Sequence, residues 1–391
     1  MSMRIGIVGL GHRSESLVRG WGNDPQLDFR FTAVVDPDED GARSRLGERD
    51  AKEVKFYKSL DEMVRQGKID GLIIGTRCHM HAEQAVQASK YDIPLFLEKP
   101  VAINASQLES LERAFANSRC EVVVSFPLRV SPLCRLARQF IANGALGRCE
   151  HVHAINYVAY GMVYWQQEYR NYEITQGLFL QKATHDLDYL SFLVDSPIVR
   201  IGAMGSFGRV YGGDKPSGLK CSECSEQLTC QESPHNRSVN NLPFAHDHPC
   251  VFSVDCGSPD TGTNEDCSSA IFEFADGSHG VYSQVFFARR DAAARGATLS
   301  GYKGTVSFDW YKNELKRVRH HEPFSDVVKA DEGLSHFGGD IELGRNFAQV
   351  IQGKAKSIAP LSAGVQSAYA CLAAKESVRT GQFVQVRQTQ L

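Results

Sequence analysis

Met3-Arg4-Ile5-Gly6-Ile7-Val8-Gly9-Leu10-Gly11-His12-Arg13-Ser14 is the stretch that decides the fold. A short apolar, β-branched run ends at two closely spaced glycines. Leu17, Val18 and Trp21 then recur at helical spacing. The pattern is strand, glycine turn, helix. Such a turn lets the backbone approach a pyrophosphate, and the helix N-terminus offers it free N–H groups. Gly9, Gly11, His12 and Arg13 are therefore candidate cofactor-binding residues. Ser14 stands where a third glycine is usual, and a small residue there still permits close helix–strand packing. The next apolar run, Phe31-Thr32-Ala33-Val34-Val35, ends at Asp36. An acidic residue at that point can accept hydrogen bonds from ribose hydroxyls and would repel a 2′-phosphate, which favours NAD over NADP. Arg13 can pair with a phosphate, which keeps NADP open as the alternative.

Working outward, the alternation of strands and helices continues. Residues 56–57 read as a brief strand, and Ser59 as the N-cap of a helix with Glu62 at the capping-box position. Asp70-Gly71-Leu72-Ile73-Ile74-Gly75-Thr76 reads as a buried parallel strand. Pro94-Leu95-Phe96-Leu97-Glu98-Lys99-Pro100 and Val122-Val123-Val124-Ser125 read as two more. These units predict a doubly wound parallel sheet over residues 1–125, with ligands at the carboxyl ends of its strands. Thr76, His81, Glu98 and Lys99 fall at or just past those ends.

Residues 126–391 have a different texture. A helix is expected over 132–143. Strand-like segments follow at 149–160, 199–204, 270–274, 280–287, 297–300 and 304–309. They are not regularly interleaved with helices, so this sheet should be large, open and mostly antiparallel. Asp276-Gly277 marks a hairpin turn. Helices are expected from about 340 to 351 and from 363 to 379, with a short strand at 383–386. The fold class is therefore α/β plus α+β.

Lys182-Ala183-Thr184-His185-Asp186-Leu187-Asp188 opens an amphipathic helix and packs one amine, one imidazole and two carboxylates into seven residues. At helical spacing Lys182, His185 and Asp188 lie close to one face. Charged groups running into an apolar helix need partners or a purpose.

The chain has 391 residues, which suits two domains, and a formal net charge of −3. That charge gives no electrostatic case for nucleic acid or an anionic membrane as a partner. No apolar run is long enough to span a bilayer, and the first residues lack the pattern of a secretory signal, so a cytoplasmic protein is expected. Of the 11 cysteines, six crowd between Cys221 and Cys267 in an irregular stretch at about 205–263. Cys221-x2-Cys224-x5-Cys230 has zinc-like spacing, and in a reducing compartment such a cluster suggests metal before disulfide. Cys250, His235, His246, His248 and Cys256 compete as fourth ligand. The isolated Cys78, Cys120, Cys134, Cys149 and Cys371 read as small buried hydrophobes.

The two-glycine turn, Asp36, Thr76 with His81, Glu98-Lys99-Pro100 and the downstream His185-x-x-Asp188 together resemble the Gfo/Idh/MocA family of sugar and inositol dehydrogenases. Phe126-Pro127-Leu128-Arg129 and the Gly301–Gly304 turn extend the resemblance over nearly the whole chain. It implies that Lys99 lies between nicotinamide and substrate and that His185 acts as acid/base toward a substrate hydroxyl. One departure stands out. The common family pattern has an Asp four residues before the His, where this chain has Gln181, followed by Lys182. The Lys-Ala-Thr-His string resembles a subgroup with a cysteine-rich insertion acting on sugars or glycosides. That resemblance favours Cys250 as fourth ligand of a structural zinc, and Lys182 as the substitute base.

The resulting expectation is an NAD(H)-dependent oxidoreductase acting on a sugar or glycoside hydroxyl. Lys99, His185, Lys182 and Asp188 would be its working residues, with Asp188 fixing the imidazole tautomer or binding a neighbouring hydroxyl. His336 and Asp340 would add contacts to the sugar, or form a loop and N-cap. An alternative on the same residues is a glycoside hydrolase that oxidises, eliminates, adds water and reduces, with NAD recycled. A non-catalytic nucleotide-binding sensor is the alternative of another class. An exposed face on the second sheet would favour a homodimer or homotetramer.

Overall fold

The computed structural model of the chain describes residues 2–166, 168–242, 245–256, 263–330 and 335–391. Residues 243–244 and 257–262 of the cysteine-rich stretch lie outside the described residues. The first sheet contains β1 (Met3–Val8), β2 (Phe29–Val35), β3 (Lys55–Phe56), β4 (Gly71–Ile74), β5 (Leu95–Leu97) and β6 (Val122–Val124). All pair in parallel, in the order β3-β2-β1-β4-β5-β6. Strands β4, β5 and β6 are buried at every residue, which is why they read as unbroken apolar runs. The strand order reverses between β1 and β4, and the crevice at that switch point is where a doubly wound sheet binds its ligands.

The second sheet has nine strands: β7 (Cys149–Ala159), β8 (Ile198–Ser206), β9 (Cys267–Phe274), β10 (His279–Ala288), β11 (Ala294–Gly301), β12 (Gly304–Asp309), β13 (Glu314–Arg319), β14 (Ser325–Lys329) and β15 (Val384–Gln385). Their order is β14-β13-β12-β11-β7-β10-β9-β8-β15. Only β7 and β10 pair in parallel; the other pairs are antiparallel, as expected of a mostly antiparallel sheet. The Asp276-Gly277 turn joins β9 to β10 with Gly277 at φ +87°. Helices Thr184–Val194 and Leu361–Thr380 cover one face. The other face leaves Met204, Ile271 and Phe287 exposed. Strands β13 and β14 were not anticipated. β14 is the edge strand and β13 its neighbour; both carry several charges, and β13 buries only Leu315, so no apolar alternation betrays them.

The chain returns to the first sheet near its end. Helix Gly339–Ile351 drives Phe347 into a cluster with Trp21, Phe29 and Phe96, with ring centroids 6.2, 6.2 and 5.7 Å away. The Trp21 indole N–H donates to the Asp340 carbonyl at 2.9 Å. The approach is so close that a Cβ on Gly344 would sit 2.5 Å from the indole. Residues 339–351 are thus part of the core of the first sheet, although more than two hundred residues separate them from β6. Phe347→Ala should lower the unfolding free energy by about 3–5 kcal/mol, read from urea denaturation, through the cavity left among three aromatic rings.

Candidate functional site

The glycine turn is built as the sequence requires. Gly9 has φ +83°, and a Cβ there would lie 2.7 Å from the Thr76 backbone. The Ser14 hydroxyl donates to the Gly9 carbonyl at 2.9 Å and packs against Gly75, so it fills the place of the third glycine with a useful bond. Gly11 caps helix His12–Gly22 and has open space where a Cβ would be, which leaves room above the helix N-terminus. Asp36 accepts from the Leu10 and Asp38 backbone N–H groups at 2.8 and 2.9 Å. Its carboxylate is held at the end of β2 with lone pairs to spare for ribose hydroxyls. These residues fit a dinucleotide. His12 is solvent-exposed beside Glu15. His81 is buried, with one ring nitrogen 2.8 Å from the Pro100 carbonyl and the other 2.9 Å from that of Thr76. It ties the end of β4 to the loop after β5.

Arg13 does something the sequence did not suggest. Its guanidinium bonds Glu98 Oε1 at 2.9 Å, both oxygens of Asp340 at 2.7 and 2.9 Å, and Ser125 Oγ at 3.1 Å. Burial works against its charge, but Glu98 and Asp340 prevail and raise its pKa. The side chain is engaged inside the protein and is not free to meet a 2′-phosphate.

Lys99 extends from the end of β5 and donates to the Gln181 carbonyl at 2.9 Å. Desolvation first, then Lys182 and Arg13, bring its pKa down to about 8 against the opposing pull of Glu98. Gln181 is buried and accepts the Cys78 thiol at 3.2 Å. Residues Phe179–Ala183 form a π-helical turn that leads into helix Thr184–Val194. Such turns occur often at functional sites because they re-aim side chains. His185 is 6% exposed, and its Nδ1 is buried without a hydrogen-bond partner. Phe126 meets its ring edge-on at 6.0 Å. Burial, then the Lys99 charge, holds its pKa well below the usual imidazole value, so the ring is neutral at pH 7. Lys182 hangs over the Tyr164 ring, with the amine 5.8 Å from the centroid. Desolvation and Arg295 lower its pKa to about 7, with Asp186 opposing.

The expected row of Lys182, His185 and Asp188 does not act as one group. Both Asp188 oxygens accept from Arg129, at 2.7 and 3.0 Å, so the carboxylate is not the partner of His185 Nδ1. Burial pushes its pKa up to about 6 in spite of Arg129. The residue that sequence reasoning passed over is Asp186. It is fully buried and takes a two-point bond from Arg295 at 3.0 Å, plus Asn156 and Tyr282 at 2.8 and 2.9 Å. A signal was present: Asn156, Tyr282, Gln284 and Arg295 sit at inward positions of β7, β10 and β11, where alternation calls for apolar residues.

The zinc expectation is corrected. Among the described residues no three His, Cys, Asp or Glu side chains gather closely enough to hold a metal ion, and the set Cys221, Cys224, Cys230, Cys250 does not fit one. The four thiols are near enough for Cys250, Cys230 and Cys224 all to raise the Cys221 pKa, yet they form no shared coordination sphere. Cys221 instead has His248 at 3.7 Å. Other contacts order the insertion. Met162, Trp165, Tyr211, Val251, Cys256 and Phe286 form part of a second apolar core, and Glu232 bridges Arg237 and Arg289.

The fold and this cluster of groups at the strand ends define a dinucleotide-binding protein with a separate sheet domain. The description "Oxidoreductase family, NAD-binding Rossmann fold" matches residues 3–126, and "GFO/IDH/MocA C-terminal domain" matches residues 134–307. The chain belongs to the Gfo/Idh/MocA family. It is 26% identical over 292 residues to YteT of Bacillus subtilis, described as an oxidoreductase, covering 68% of this chain and 64% of that one. It is 24% identical over 202 residues to inositol 2-dehydrogenase 1 of Saccharopolyspora erythraea, covering 51% and 57%. The chain thus spans between half and two-thirds of the length of such curated relatives. A levoglucosan dehydrogenase solved with NADH and L-sorbose superposes with a TM-score of 0.78 over 100% of both chains at 16% identity, which shows a shared fold.

Asp188→Asn should leave the Arg129 guanidinium buried and underpaired. Its expected signature is a loss of about 3 kcal/mol in unfolding free energy by chemical denaturation.

Proposed function

We propose that the protein is an NAD(H)-dependent oxidoreductase acting on a hydroxyl of a sugar, polyol or glycoside. The observation that carries this reading is a buried, neutral His185 with an unpartnered Nδ1 under the influence of an amine, Lys99, at the carboxyl end of β5. A neutral imidazole in a desolvated site is poised to accept a hydroxyl proton. Lys99, with its charge retained in the substrate complex, stabilises the oxygen as negative charge develops on it. Bound nicotinamide would supply the hydride acceptor. Gly9, Gly11 and Asp36 would hold the dinucleotide, and Asp36 together with the internal engagement of Arg13 favours NAD over NADP. The relatives named above as inositol and levoglucosan dehydrogenases support a polyhydroxylated substrate. The exposed outer face of the second sheet suits self-association of the chain.

Lys182 supports a second reading. An amine whose pKa is about 7 is a competent extra base near neutrality. Once a hydroxyl is oxidised, the adjacent C–H is acidified, and such a base could promote loss of a glycosidic substituent before water addition and reduction. Product analysis separates the two: stoichiometric NADH marks dehydrogenation, and net glycoside cleavage with catalytic NAD marks hydrolysis.

His185→Ala and Lys99→Ala should each lower kcat/KM for NAD-linked turnover of the best sugar or polyol by at least about 100-fold. An unchanged rate in the His185 variant would sink the catalytic assignment and favour a nucleotide sensor. If Lys182 is the extra base, activity should rise with pH through about 7 as the amine loses its proton. Lys182→Met should abolish that rise in a pH–rate profile.

A further inference from the structure

In the hydroxyl-oxidation reading, His185 accepts a proton at a buried position. Its side chain is buried and its Nδ1 meets no acceptor. Oxidation of a hydroxyl by NAD releases one proton per turnover, so a buried base must hand it on before the next cycle.

The route is visible one ring away. His336 lies with its centroid 6.4 Å from that of His185 and the two planes tilted by 34°. That is too far for a direct hydrogen bond and close enough for one water or hydroxyl to bridge. The His336 side chain is 38% exposed, so it reaches solvent where His185 does not. Asp340 Oδ2 is 2.7 Å from His336 Nδ1. Arg13 Nη1 also approaches that nitrogen, at 3.3 Å, but the carboxylate contact is much the shorter; a carboxylate is an acceptor only, so Nδ1 carries the proton in that bond and Nε2 is left as the free base. Asp340 is itself gripped by Arg13. Burial alone would raise its pKa, but Arg13 and His336 hold it well below the usual carboxylate range, so it stays charged at every pH of interest. The backbone is strained into this placement: His336 and Phe337 both have left-handed φ, 44° and 56°. Phe337 is held by stacking on Trp310 at 5.9 Å. Two consecutive non-glycine residues in that region cost energy, and such strain collects where a side chain must be aimed.

We propose that His336, oriented by Asp340, relays the proton between buried His185 and solvent. The proposal rests on the hydroxyl-oxidation reading above. In the forward direction the O–H bond breaks and its proton moves to His185, while the carbinol hydride leaves to the nicotinamide. The proton then passes through a bridging water to His336 Nε2 and out to solvent, with Asp340 compensating the transient imidazolium. The charged groups acting on His336 are Asp340, which favours that imidazolium, and Arg13 and Lys182, which oppose it, so the charge is carried briefly. Reduction runs the same path inward.

The test is His336→Gln, which keeps a polar side chain without a titrating group. In dilute non-transferring buffer, kcat for oxidation should fall about tenfold or more while KM changes little, and the solvent deuterium isotope effect on kcat should grow. Added imidazole at tens of millimolar should restore most of the rate, a response that a merely structural residue would not give. A variant that keeps the wild-type rate, or one whose loss imidazole does not restore, overturns the relay. The dehydrogenase reading stands in either case, provided that the wild type turns over and His185→Ala does not. Nitrogen-15 NMR of histidine-labelled protein gives an answer without turnover. His336 is expected as the Nδ1–H tautomer at neutral pH, and finding Nε2–H overturns the proposal.

Discussion

The bridge from Arg13 to Glu98 and Asp340 is the contact on which the site depends. It joins the glycine turn after β1, the end of β5 and the start of helix Gly339–Ile351 in one ion cluster. Each partner stands next to a residue of consequence: Glu98 beside Lys99, and Asp340 one turn from His336. Removing one partner would leave the others charged and desolvated, which costs far more than a surface pair would. The geometry of the polar centre is therefore set by a structural cation, and Lys99 and His336 stand beside its two carboxylate partners.

Desolvation then does the tuning. Lys99, Lys182 and His185 all sit among neighbours of like sign, and burial pulls each toward its neutral form. Negative charge is kept one layer back. Asp186 and Asp188 each face an arginine, so their carboxylates chiefly hold the scaffold, and Asp186 offsets only part of the desolvation of Lys182. The result is two amines lowered to about 8 and about 7 beside a neutral imidazole, in a desolvated setting where a developing oxyanion would be poorly screened.

What could be read from the chain follows from this division. The first sheet was legible because strands buried on both faces give continuous apolar runs, and because Gly9 and Asp36 act through local backbone geometry. Lys99, Lys182 and His185 could be singled out by type and setting. The pairing of the carboxylates beside them could not, since Arg129, which takes Asp188, and Arg295, which takes Asp186, arrive from distant elements. The sequence suggested that Asp188 served His185, whereas the fold gives it to Arg129. The thiol spacing from Cys221 to Cys230 suggested a metal, yet the insertion is ordered by an apolar core that includes Trp165 and Tyr211, residues far apart in the chain. Charged β13 and β14 carry no periodic signal at all.

The return of helix Gly339–Ile351 to the first sheet has a consequence for how the protein is made. As the chain leaves the ribosome, Trp21, Phe29 and Phe96 emerge early, but the side chain that closes their cluster is Phe347. The aromatic surface of the nucleotide-binding half therefore stays uncovered until a segment more than two hundred residues further along the chain has joined it. Domains that can close their cores at once fold as units during synthesis, and half-covered ones stick to their neighbours. Helix Gly339–Ile351 is the latch that covers that surface.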